Sequence, residues 1–146
     1  MFGYTIINTP SFLYSKNTID SIFKSISKNI DKKQNGLLNI VFVEQKSIKN
    51  LNNIYRKKNK ETDVLSFHYF ESFDTLKQDE IAGEIILCEE IIKKQGLEYG
   101  LGSEKEFYKL LIHSILHILG FDHEDENEYE IMKKIEEKIA QELDLF

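Results

Sequence analysis

The sequence predicts an α+β domain, a small mixed sheet with helices packed on it, and three observations carry that prediction. Short segments rich in β-branched and aromatic residues recur along the chain, as strands require. Between them lie segments whose apolar residues repeat at three- and four-residue spacing, as amphipathic helices require. One stretch, 104–119, is apolar all round, which marks a central buried helix.

Tyr4 to Asn8 reads as a short strand. From Thr18 to about Ile30, the residues Ile19, Ile22, Phe23 and Ile26 share one helical face. Leu37 to Val43 (LLNIVFV) reads as a buried strand. Ser47 is placed to cap a helix carrying Ile48, Leu51, Ile54 and Tyr55 on one side. Asp63–Tyr69 and Ile81–Cys88 read as two further strands across a polar loop, followed by a helix from Glu89 to about Gln95 with Gly96 as its stop. Ser103-Glu104-Lys105-Glu106 has the form of a capping box, so a helix is expected to begin near Glu104 and to end at Gly120. A last helix is expected near Asn127–Leu143, with Met132, Ile135, Ile139 and Leu143 on one stripe.

At 146 residues, with 41% hydrophobic and 30% charged composition, the chain is expected to form one soluble domain spanning 1–146. No apolar run of about 18 residues is present, so no membrane span is expected. The start Met1-Phe2-Gly3-Tyr4 lacks the basic and apolar regions of a secretory signal, and Cys88 has no second cysteine to pair with. Both point to a cytoplasmic protein. The net charge of −6 argues against indiscriminate nucleic-acid binding, but it is unevenly spread. Residues 46–60 hold six basic residues (Lys46, Lys49, Arg56, Lys57, Lys58, Lys60) and no acidic one, whereas 122–146 holds ten acidic residues against three lysines. A local anion-binding face is therefore permitted on an acidic chain.

Three of the four histidines, His113, His117 and His123, fall within eleven residues. Positions 113 and 117 lie one turn apart on a helix and project from one face, among neighbours that are almost all apolar. Leaving a buried ring nitrogen without a partner costs about 1–3 kcal/mol, and a metal ion would satisfy both rings. Gly120 and the short Phe121-Asp122 turn can bring His123 back to the same point. Three imidazoles with a fourth position open form the pattern of a catalytic zinc site, although nickel, copper or iron would also suit such ligands. In the HExxH metalloprotease motif a glutamate follows the first histidine and acts as base; here that residue is Ser114. The acidic residues Asp122, Glu124, Asp125 and Glu126 are candidates to orient the imidazole N–H groups.

The stretch His113-Ser-Ile-Leu-His117-Ile-Leu-Gly120-Phe-Asp-His123 closely resembles the HGxLHLxGYDH signature of YbeY-type endoribonucleases, the rRNA maturation factors. Leu51 to Phe67 resembles that family's LNxxYRxKDxPTDVLSF segment, and Gly83-Glu84-Ile85 its GDI strand. Ser114 stands where the family usually has glycine, Glu61 where it often has proline, Glu84 for aspartate, and His68 where proline commonly follows. Ser114 is expected to narrow the space beside the metal, and His68 either approaches the site or ends a strand.

The resemblance implies one zinc ion per chain held by His113, His117 and His123, with Arg56 needed for activity. It also implies cleavage of single-stranded RNA in rRNA maturation and ribosome quality control, with RNA and the ribosome or its proteins as partners. Arginine suits that role, since its planar fork can hold a phosphate in two hydrogen bonds. The base stays open between Glu84, the acidic 122–126 turn and metal-activated water, and attack by the RNA's own 2′-hydroxyl is an alternative. Two rival readings are a metallohydrolase of another substrate, such as a peptidase, and a non-catalytic zinc-stabilised module on the ribosome.

Overall fold

The computed structural model of the chain describes residues 1–146. Along the sequence run β1 (Gly3–Ile7), α1 (Lys16–Asn29), β2 (Leu37–Val43), α2 (Gln45–Arg56), β3 (Val64–His68), β4 (Ile81–Cys88), α3 (Glu89–Glu98), α4 (Ser103–Ile118) and α5 (Glu126–Glu142). The strands form one sheet in the order β1-β2-β4-β3. β1, β2 and β4 are parallel, while β3 lies antiparallel on the edge beside β4. The expected α+β architecture, a mixed sheet packed with helices, is the observed one.

Side chains alternate across a sheet, and here both faces are covered. Leu38, Ile40, Phe42, Ile85 and Leu87 point into the main core with Ile22 and Phe23 of α1 and Leu111 and Ile115 of α4. Leu65 and Cys88 point the other way, against Ile48 of α2, with Val43, Leu51, Phe67 and Ile86 around them. On β3 this leaves Val64, Ser66 and His68 on the α4 face, while Leu65 and Phe67 face α2. Each fully buried leucine or isoleucine contributes about 1.5–3 kcal/mol of hydrophobic stabilisation.

Three helix-end expectations are corrected by tertiary partners. α2 begins at Gln45 rather than under a Ser47 cap, because the Glu90 carboxylate from α3 accepts from the Gln45 N–H at 3.1 Å. α3 runs through Gly96 to Glu98. Gly96 is needed for close approach instead, since a Cβ there would lie 2.6 Å from the Gly102 carbonyl. The capping box is not formed: Gly102, at φ 82°, is the N-cap of α4, Ser103 is already helical, and no side chain caps the end. Glu106 turns inward instead. Gly120 does stop α4, with φ 101°. The Phe121 N–H donates to Leu116 O and the Gly120 N–H to His117 O, both at 3.0 Å, the crossed pair of a glycine-ended helix.

Candidate metal centre

α4 is buried along most of its length, through Phe107, Leu110, Leu111, Ile112, Ile115 and Leu116. One stripe departs from this. Lys109, His113 and His117, four residues apart, face a cleft of about 340 Å³ that is also lined by Arg56, Thr62, Asp63, Val64, Ser66, His123 and Glu136. The turn after Gly120 brings His123 back onto the stripe. Its ring centroid lies 5.6 Å from that of His113 and 5.0 Å from that of His117. One donor atom of each of the three histidines falls within 4.8 Å of the others.

The hydrogen bonds set the state of these rings. His113 Nδ1 lies 3.2 Å from Glu136 Oε1 of α5, and a carboxylate there favours the tautomer with the proton on Nδ1 and the lone pair on Nε2. The Nε2 of His117 faces it at 3.1 Å. Burial lowers the His117 pKa below its usual value, the neighbouring His113 and His123 lower it further, and Asp122 and the Phe121 backbone offset only part of this. The neutral ring is therefore the ground state at neutral pH. The donor set fits a metal of zinc's size: nitrogens about 2.0–2.1 Å from a tetrahedral ion stand about 3.3 Å apart, close to the 3.1 Å between His113 and His117, with the His123 donor within 4.8 Å of both.

The acidic 122–126 turn is otherwise employed than expected. Asp122 accepts from the His123 backbone N–H at 2.8 Å, and Asp125 caps α5 by accepting from the Glu128 N–H at 2.8 Å. The carboxylate that orients His113 is Glu136, which sequence reasoning missed. Its signal was present, because Glu136 lies four residues after Met132 and four before Ala140, on the buried side of α5. Ser114 does not narrow the site. It is fully buried on the core face and its hydroxyl has no hydrogen-bond partner. Glu84 does not line the histidine cleft and accepts a hydrogen bond from the Tyr69 hydroxyl, which withdraws it as a candidate base.

Arg56 ends α2 on the far face of the sheet, yet it lines the histidine cleft across the β3 edge. The chain after it is held by Asn52, only 2% exposed, whose amide donates to Lys60 O at 2.9 Å. Arg56 makes no ion pair, and neither does any lysine of 46–60. A second cleft of about 300 Å³ shares Arg56, Ser66 and His117 with the first and continues past His68, Gly120 and Phe121. His68 thus both ends β3 and flanks the site, its Nδ1 3.2 Å from Phe70 O.

Fold and cleft together define an α+β protein with an open three-histidine group that can bind a metal ion. The sequence matches the family model described as endoribonuclease YbeY over residues 8–144. Relatives named endoribonuclease YbeY include one from Buchnera aphidicola subsp. Schizaphis graminum, 43% identical over 80% of this chain and 73% of that protein. Another, from Caldicellulosiruptor bescii, is 37% identical over 90% of this chain and 87% of that protein. A solution structure from Thermotoga maritima superposes with a TM-score of 0.60 at 28% identity, covering 95% of this chain and 90% of that one. The chain belongs to the endoribonuclease YbeY family. No helix is long and apolar enough to cross a membrane.

Proposed function

We propose that this chain is a zinc-dependent endoribonuclease that cleaves single-stranded RNA in rRNA maturation, including the 3′ end of small-subunit rRNA, and in ribosome quality control. In this reading it is one catalytic domain over 1–146, cytoplasmic, with the ribosome or its proteins as partners. The observation that carries the proposal is the convergence of the His113 and His117 Nε2 atoms, 3.1 Å apart, at a cleft lined by an unpaired arginine.

His113, His117 and His123 would hold the metal, which supplies Lewis acidity to polarise a phosphate and acidify a water. Glu136 keeps the His113 proton on Nδ1 and so keeps Nε2 available. Arg56 holds a phosphate in two charge-assisted hydrogen bonds and opposes the charge that develops there. The unpaired lysines of 46–60 draw the polyanion toward the cleft. Among the candidate bases, Asp122 lines the second cleft and remains compatible, while Glu84 does not.

Purified protein incubated with single-stranded RNA, duplex RNA and peptides tests this. Only the single-stranded RNA should be cut, cleavage should stop after chelation, and zinc should restore it. Intact RNA beside cut peptides, or undiminished cleavage by metal-free protein, would contradict it. A 2′,3′-cyclic phosphate on the products would assign the attack to the 2′-hydroxyl, and its absence to water.

A further inference from the structure

We propose that Lys109 is a second phosphate-binding cation of the cleft, held ready by the buried carboxylate of Glu106; this rests on the ribonuclease reading above. Lys109 precedes His113 by one turn of α4 and lines the same cleft as Arg56. Its Nζ lies 2.8 Å from Glu106 Oε1 and 4.7 Å from the centre of the Tyr99 ring. The Glu106 side chain is 1% exposed and that of Lys109 37%, so the pair has a buried acid behind and an accessible cation in front.

The acid is fixed from its other side as well. With its nitrogen turned to the carboxylates, the Gln95 amide donates to Glu106 Oε2 at 3.0 Å and to Asp63 Oδ2 at 3.1 Å. Glu106 Oε1 has no hydrogen-bond partner besides the ion pair with that ammonium. The ammonium is the only cation set against this buried carboxylate, which ties the two side chains together. An ammonium has three donors, and the ion pair with Glu106 leaves donors free for an anion in the cleft. Pinned between the carboxylate and the Tyr99 face, the side chain has little rotamer freedom left to lose when an anion arrives.

The placement indicates which phosphate it meets. Lys109 and His117 are eight residues apart on α4, about 12 Å along the helix. Arg56 and His117 line both clefts, whereas Lys109 lines only the first and His68 only the second. Arg56 therefore sits at the junction beside the histidines, and Lys109 stands at one end of the track, where a backbone phosphate next to the scissile one would lie.

The test is the salt dependence of binding of a single-stranded oligoribonucleotide to the full chain, compared with Lys109→Gln and Lys109→Arg. Glutamine removes the charge while keeping an N–H donor on the side chain, so its melting temperature is read beside the slope, and arginine keeps the charge as the control. Losing one phosphate contact should lower the slope of log affinity against log salt by about 0.7, and arginine should restore it. An unchanged slope in Lys109→Gln, with a lowered melting temperature, would reduce the pair to a structural one and overturn the proposal. A wild-type protein that neither binds nor cuts single-stranded RNA would fail the ribonuclease reading itself, and this proposal with it.

Discussion

The two faces of α4 are built from the same backbone but answer to different constraints. One face carries Leu111, Ile115 and Leu116, each 0% exposed, and closes the main core against the sheet. The other carries Lys109, His113 and His117 in a row and opens onto a cleft. The core face is satisfied by its own neighbours. The cleft face holds ring nitrogens that converge on one another, and a side chain charged at one end of the row. The contrast teaches that stability and chemistry are separable on this helix, so substitutions on each face should have different signatures.

The largest effect expected on the core face is that of Leu111→Ala, which should cost about 2–5 kcal/mol of stability through lost burial and a cavity. Chemical denaturation measures it, and activity per folded molecule should be unchanged. A loss of metal affinity in that variant would show that the faces are coupled after all. On the cleft face, Glu136→Gln should leave the fold intact but weaken metal binding about 10–100-fold, because an amide no longer fixes the His113 tautomer as a carboxylate does. Competitive titration with a chelating dye reads this directly, and an unaltered affinity would remove Glu136 from the site.

The smallest expected effect is one of pH. The unfolded His117 takes up a proton near 6.5, whereas the folded ring resists it to lower pH because burial and its histidine neighbours disfavour the cation. Below about 6.5 the unfolded state therefore binds more protons, and metal-free protein should lose stability as pH falls through that window; above it both states are neutral and the contribution is flat. Thermal melts of metal-free protein across that range, compared with His117→Gln, would reveal the slope. A Gln variant with the same slope as wild type would assign the effect elsewhere.

What was legible in the sequence was local. The pairing of His113 with His117 follows from helical period, and the return of His123 follows from Gly120, whose φ of 101° suits glycine. Arg56 was legible only through the motif around it, since nothing in the helix-end spacing says that its side chain crosses the sheet edge. The readings that failed were overruled from afar: Glu90 replaced the Ser47 cap, Gly102 packed against Gly96, and Gln95 with Lys109 claimed Glu106 from its capping box. Glu84, one of the open candidates for the base, is set aside only by its hydrogen bond with Tyr69, 15 residues away in the chain. Glu136 shares the buried stripe of α5 with Met132 and Ala140, but its pairing with His113, 23 residues away, depends on α5 lying beside α4.

The most direct test of the account is the metal content of the purified full chain, prepared without chelators, beside that of His113→Ala. Elemental analysis should find one zinc per wild-type chain and almost none in the variant, while both retain the same circular dichroism spectrum. No bound metal in the wild type, or equal metal in the variant, would contradict the claim that the three histidines form the centre.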